Sequence, residues 1–300
     1  MLHEEIELAD RRYLIRASLK KPKKCSKVGV VLAHGAIINR QSLIRTSCSL
    51  GDYLCNKLGA YVIAPDFNGD TIHNDSVCFE DFCEIYNITS KFLVESYNLD
   101  LVMGFGHSMG CFIIAESLDR NPYLDSLVNY GGPIYELSEG RRGGFIEYLV
   151  NYLSTFGYGV NVRNLMKYVF DSETMSYLEE VMMCEEEYNC SSYDFNFKPE
   201  MFSNARRMIE EYLENIKKWN KPTMLAFGTE DKLTKKTIKH YKNNYEEDNI
   251  IFKHLENASH VTPCMQSIHQ LQKLEPVIDF YKLVHNIEKP NNILQNKITR

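Results

Sequence analysis

Six strand-sized segments of four to seven residues, interleaved with stretches of helical periodicity, constrain this chain's fold more than any other feature. Val28–Ala33 is continuously apolar, and Tyr61–Ala64 is a short β-branched run ahead of Pro65 and Asp66; Leu99–Phe105, Ser126–Tyr130, Thr223–Phe227 and Ile250–Leu255 are further strand candidates. A strand apolar on both faces must be covered on both sides, which is the situation of a parallel sheet. Tyr13–Leu19 alternates more loosely. Helical spacing of apolar residues runs through Ser42–Leu58, Glu80–Tyr97, Cys111–Asp119, Lys235–Tyr245 and Ile268–Val284. Strand followed by helix, repeated, predicts an α/β fold with a doubly wound, mostly parallel sheet.

The rhythm breaks between Ile134 and Lys218, where helix-like segments continue without a convincing buried strand. We read 134–218 as an insertion into one core domain formed by 1–133 and 219–300. The insertion holds nine of the 19 tyrosines, six of the 15 phenylalanines and six of the 11 methionines, a composition suited either to lining an apolar cavity or to packing a small core of its own. Neither junction is rich in Pro, Gly or Ser, so the insertion is expected to dock on the sheet. Asn286–Arg300 reads as a polar surface tail.

Charge and cysteine usage narrow the function classes. With 34 Lys and Arg against 40 Asp and Glu, the net charge of −6 offers no basic field for a phosphate backbone, so no nucleic-acid partner is expected. The apolar runs are far shorter than the ~20 residues of a membrane helix, so no membrane span is expected. The opening Met1-Leu2-His3-Glu4-Glu5 lacks the basic and apolar regions of a secretory signal. Nine cysteines, an odd number with no C-x-x-C pair, fit neither a disulfide framework nor a zinc site. A cytoplasmic protein with reduced thiols, no metal and no cofactor is the expectation.

The chemistry concentrates at Gly106-His107-Ser108-Met109-Gly110, a G-x-S-x-G sequence with an apolar strand running into it and an apolar helix running out. That setting is the strand–turn–helix of a nucleophile elbow, in which glycines clear a tight turn and the serine projects at a helix N-terminus. Ser108 is the candidate nucleophile. Gly104-x-Gly106 followed by Gly110 is one residue too long for a dinucleotide loop. A serine hydroxyl needs a base and an acid to orient that base, in the chain order Ser, Asp/Glu, His. Gly228-Thr229-Glu230-Asp231 follows one strand and offers two adjacent carboxylates, Asp231 as the candidate acid and Glu230 as its competitor. Ser259-His260 follows the next strand. Of the nine histidines, His260 alone lies in a post-strand loop downstream of the acid and is the candidate base. The oxyanion donors are the backbone N–H of Met109, next after the nucleophile, and that of Ala36, in the loop opened by His34-Gly35. His34 itself reads as a buried structural histidine bonded to backbone.

Together these segments resemble the α/β-hydrolase superfamily, in particular its capped esterases, monoacylglycerol-lipase-like hydrolases and serine aminopeptidase-like members. The resemblance covers roughly residues 11–285 and rests on His34-Gly35-Ala36, Pro65 to Asp70, Gly106 to Gly110, Gly228 to Asp231 and Ser259-His260. It implies that Ser108, Asp231 and His260 are catalytic, that Ala36 and Met109 form the oxyanion hole, and that 134–218 is a helical cap over the active site. After Pro65-Asp66 the chain departs from the Arg-Gly-x-Gly pattern frequent in that family, and it lacks a His-Gly-Gly-Gly stretch. The implied activity is cofactor-independent hydrolysis of a small-molecule acyl ester. The same triad also serves aminopeptidases, amidases and thioesterases, and Glu185-Glu186-Glu187 could hold a substrate ammonium. A non-catalytic ligand-binding protein on this fold is the third reading.

Overall fold

The computed structural model describes residues 1–10, 12–24, 26–35, 40–44, 47–67, 79–132, 160–161, 196–197, 205–231, 234, 237, 248–265 and 267–285. Its strands are β1 (Leu2–Asp10), β2 (Tyr13–Lys21), β3 (Val28–Ala33), β4 (Tyr61–Pro65), β5 (Leu101–His107), β6 (Ser126–Tyr130), β7 (Val160–Asn161), β8 (Asn196–Phe197), β9 (Thr223–Gly228) and β10 (Ile250–Leu255). Its helices are α1 (Arg40–Leu43), α2 (Leu50–Leu58), α3 (Phe79–Tyr97), α4 (Met109–Ser117), α5 (Ala205–Trp219), α6 (Ile268–Gln272) and α7 (Glu275–His285). Eight strands form one sheet in the order β1-β2-β4-β3-β5-β6-β9-β10. From β4 to β10 every pairing is parallel, and β2 joins antiparallel to both β1 and β4. The expected doubly wound, mostly parallel α/β sheet is thus the observed architecture.

The unbroken apolar run of β3 shows why the sheet is covered on both faces. Val31 and Ala33 join the core with Tyr86 of α3, Ile113 and Ile114 of α4, and Tyr212 and Ile216 of α5. Val30 and Leu32 point the other way, into a second core with Leu54 of α2 and Val277 and Tyr281 of α7. All four β3 side chains are fully buried, at about 1.5–3 kcal/mol of transfer free energy for each of the larger ones. Buried tyrosines fasten both layers: Tyr86 donates to the carbonyl of Val31 at 3.2 Å, and Tyr281 to that of Gly104 at 2.6 Å.

Several expected elements differ in extent. Ser42–Leu58 is not one helix; α1 ends at Leu43, and α2 starts afresh after Ser49. Ser49 Oγ accepts from the Asp52 N–H at 3.2 Å while Asp52 Oδ2 accepts from the Ser49 N–H at 2.9 Å, a reciprocal cap that favours a new helix start. Ile268–Val284 likewise divides into α6 and α7, because Pro276 has no N–H for the carbonyl of Gln272. The strand expected at Leu99–Phe105 runs two residues later, Leu99 serving instead to close α3 through its N–H to the Val94 carbonyl, 3.1 Å. The acidic opening of the chain is the edge strand β1, with Leu8 as its buried residue.

The helix expected at Lys235–Tyr245 lies outside the described residues except for Thr237, and so does most of 134–218. Within that span β7 and β8 pair antiparallel, and α5 packs Tyr212, Leu213 and Ile216 into the core beside α4. None of the five described cysteines is in a disulfide, and no described helix is long and apolar enough to cross a membrane.

A charge lies inside the sheet edge. Lys20 of β2, 1% exposed, puts its ammonium 2.9 Å from Oδ1 of Asp52 in α2. Removing one partner leaves the other uncompensated in low dielectric. Asp52→Asn should therefore lower unfolding free energy by about 3–5 kcal/mol in urea titrations, and adding Lys20→Met should restore most of that loss; additive losses would show that the two groups do not act as a pair.

Candidate active site

The carboxyl ends of β5, β9 and β10 carry the three side chains singled out by sequence. Ser108 follows β5 and is half-buried, with φ 53° and ψ −117°, backbone angles disfavoured for a residue with a Cβ. Such strain costs on the order of 1–3 kcal/mol and persists only where surroundings impose it. Here the Ser108 N–H donates to the Tyr130 carbonyl of β6, and the Ser108 carbonyl accepts from the Cys111 N–H, both at 3.0 Å. The helix leaving the turn lies so close to β3 that a Cβ on Gly110 would sit 2.1 Å from the Ala33 carbonyl oxygen. Only glycine allows that approach. Met109 begins α4, where helix geometry leaves N–H groups without intrahelical acceptors.

The other two side chains meet because β9 and β10 are parallel neighbours whose following loops are stitched together. Thr229 N–H donates to the Leu255 carbonyl at 3.0 Å, Glu230 N–H to that of Ala258 at 2.9 Å, and Asn257 N–H to Thr229 Oγ1 at 2.9 Å. The Asp231 N–H turns back onto the Gly228 carbonyl at 3.1 Å. That turn leaves Glu230 exposed and buries Asp231, whose Oδ2 lies 2.9 Å from Nδ1 of His260. The choice between the adjacent carboxylates is thus a matter of direction: Asp231 faces the imidazole. A carboxylate only accepts, so His260 Nδ1 carries the hydrogen and Nε2 is the ring nitrogen left to act as a base.

His107 links this pair to Ser108. Its Nε2 is 2.8 Å from the carbonyl oxygen of His260, and the two rings are 5.1 Å apart. Tyr130 OH donates to the Ser259 carbonyl at 2.6 Å, so the loop that carries His260 hangs from β5 and β6 together. Gly131, with φ +65°, follows β6 beside the imidazole; a Cβ there would lie 2.9 Å from His260 Nδ1 and Cε1. His107, Tyr130 and Gly131 escaped the sequence reading. His107 stands inside the quoted motif, but its reach to a residue 153 positions away has no local signature.

The loop after β3 is held at both ends. His34 is buried: Nδ1 donates to the Gly35 carbonyl at 2.9 Å and Nε2 accepts from the Phe67 N–H at 3.3 Å, which is the structural role expected of it. Arg40 closes the far end, its N–H on Asp66 Oδ1 at 3.0 Å and its guanidinium paired with Asp66 Oδ2 and with Glu5. Ala36, the expected second oxyanion donor, lies outside the described residues. Burial lowers the pKa of His34 to about 4 and that of His107 to about 3, so both rings are neutral at neutral pH. Among the described residues no group of three His, Cys, Asp or Glu is placed to hold a metal ion.

No family model matches the sequence, and no curated protein matches it. Solved structures do match. A thermostable carboxyl esterase from Bacillus coagulans, in complex with glycerol, is 16% identical, with 95% of this chain and 99% of that one covered and a TM-score of 0.66. The α/β hydrolase GrgF from Penicillium sp. sh18 is 11% identical, with 95% and 100% covered and a TM-score of 0.68. A thermophilic esterase from Thermogutta terrifontis, with malate bound, is 15% identical, with 94% and 99% covered and a TM-score of 0.61. At these identities the likeness is one of fold: this chain has the α/β-hydrolase fold.

Two outcomes follow from this geometry. Gly131→Ala should displace the His260 ring, because the added methyl would lie 2.9 Å from its Nδ1 and Cε1; an unchanged His260 imidazole resonance in a folded Gly131→Ala protein would contradict the placement. The buried histidines set an acid limit on stability. Their folded pKa values lie below the unfolded value of ~6.5, so beneath that pH the unfolded chain binds protons that the folded chain refuses. Stability is complete above ~6.5 and falls as pH drops toward 4, by roughly 1.4 kcal/mol per pH unit for each histidine. Urea midpoints should decline between about pH 6.5 and 5, before ordinary carboxylates titrate; a flat midpoint would contradict the burial.

Proposed function

We propose that the chain is a serine hydrolase that cleaves small carboxylic esters through an acyl-enzyme. The observation that carries this reading is the buried Asp231 carboxylate 2.9 Å from His260 Nδ1, on a loop tied to the residue beside a strained serine at a helix N-terminus. Ser108 Oγ attacks the ester carbonyl as His260 Nε2 takes its proton, and the imidazolium formed is stabilised by Asp231. The carbonyl oxygen becomes an oxyanion, accepting from the N–H groups of Met109 and Ala36. Collapse of the tetrahedral adduct breaks the ester C–O bond, and His260 returns the proton to the leaving alcohol. Water then attacks the acyl-serine, giving up its proton to His260, which passes it back to Ser108 Oγ as the acid departs.

The esterases among the solved neighbours support an ester substrate. In this reading residues 134–218 form the cap, and tyrosines, phenylalanines and methionines of that span other than the core-packed Tyr212 line an apolar acyl or aryl pocket. No cofactor or metal takes part, and the substrate is a small molecule rather than a nucleic acid. Nine cysteines without a framework spacing suit the reducing cytoplasm.

A fluorophosphonate probe should label the protein at Ser108, and Ser108→Ala should abolish both labelling and turnover of p-nitrophenyl acyl esters, a fall in kcat of roughly six orders of magnitude. Asp231→Asn should cost roughly 10⁴-fold in kcat. An unlabelled wild-type chain would point to a binding protein, and a preference for amino-acid anilides over esters to an aminopeptidase or amidase.

A further inference from the structure

The end of β5 and the turn after His260 make a closed circuit of polar groups. His107 is 3% exposed. Its Nε2 faces the His260 carbonyl oxygen at 2.8 Å, and since a carbonyl only accepts, Nε2 must carry the hydrogen. A neutral imidazole has one N–H, so Nδ1 is left as an acceptor. Cys264 Sγ lies 3.8 Å from that nitrogen, brought there by the 3-10 turn Thr262–Cys264, which starts two residues beyond the base. The turn is itself folded tight by the Ser259 N–H on Thr262 Oγ1 at 2.9 Å and by the Thr262 N–H on the Ser259 carbonyl at 3.1 Å. The thiol donates into Nδ1, the opposite nitrogen donates to the His260 carbonyl, and the circuit closes through the backbone between 260 and 264.

We propose that His107 is a positioning residue for the base, with Cys264 fixing the tautomer in which it works. The inference rests on the triad reading above. Asp231 sets the orientation of the His260 ring through Nδ1; the distance from Nε2 to Ser108 depends also on where the main chain of His260 sits. Of the groups that hold that loop, His107 grips the His260 carbonyl itself, from the residue covalently joined to the nucleophile, so serine and base move as one body. Reacting groups must be held to a fraction of an ångström, and a 1 Å displacement can cost about 100-fold.

Glutamine and asparagine separate this role from packing. The amide nitrogen of Gln reaches the place of Nε2, whereas that of Asn stops near Nδ1. His107→Asn should lower kcat for a p-nitrophenyl ester roughly 100-fold with KM little changed, and His107→Gln should recover most of the loss. Cys264→Ala, which leaves the His107 side chain in place, should lower kcat in a chain that still folds, and it decides the matter if the His107 variants do not fold. Wild-type kcat in folded His107→Asn or in Cys264→Ala, or equal losses in Asn and Gln with KM rising in step, would overturn the proposal. Nitrogen-15 spectra of the wild-type chain should show His107 neutral with Nε2 protonated, and Nδ1 protonation would also overturn it. That spectrum does not depend on turnover, so an unreactive Ser108 would remove the hydrolase reading while the tether was still measured.

Discussion

The contact on which the site depends is the hydrogen bond between the fully buried Asp231 carboxylate and His260 Nδ1. A carboxylate taken out of water costs several kcal/mol unless its oxygens are satisfied, so the imidazole is part of what lets this loop fold inward at all. The sheet prepares the meeting. Parallel pairing of β9 with β10 ends both strands at the same edge, and three main-chain and side-chain bonds between the two loops leave Asp231 and His260 little freedom of approach.

At the same edge a second constraint operates through β5. Crowding of α4 against β3 and the Tyr130 carbonyl hold Ser108 in its unfavourable conformation. The neighbouring His107 and Tyr130 then reach across to carbonyls of the His260 loop. Strain at the serine and order in the histidine loop thus have a common source in the packing of β5 and β6. Deep burial of neutral His34 and His107 follows from the same packing, since each ring spans two backbone segments that water does not reach.

Much of the architecture was legible because it rests on local rules. Continuous apolar runs such as Val28–Ala33 have one good solution, a strand covered on both faces, and G-x-S-x-G between a strand and a helix marks its turn wherever the chain goes next. Breaks within helices were harder to see. Apolar spacing continues across Leu43–Leu50 and across Gln272–Glu275, and the decisive signals were single residues, the Ser49 cap and Pro276, that compete weakly against periodicity. The edge strand β1 was masked by its charges, because an edge exposed to solvent need not look apolar.

By itself the sequence determined the strand and helix alternation and the position of the G-x-S-x-G turn between a strand and a helix, since each is written in spacing along the chain. Tertiary structure alone decided that Asp231 rather than Glu230 faces the imidazole, that Gly131 must be bare beside it, and that His107 grips a carbonyl 153 residues away. Those facts depend on where separate strands end relative to one another. That relation is set by sheet register and close packing, and no window of adjacent residues contains it.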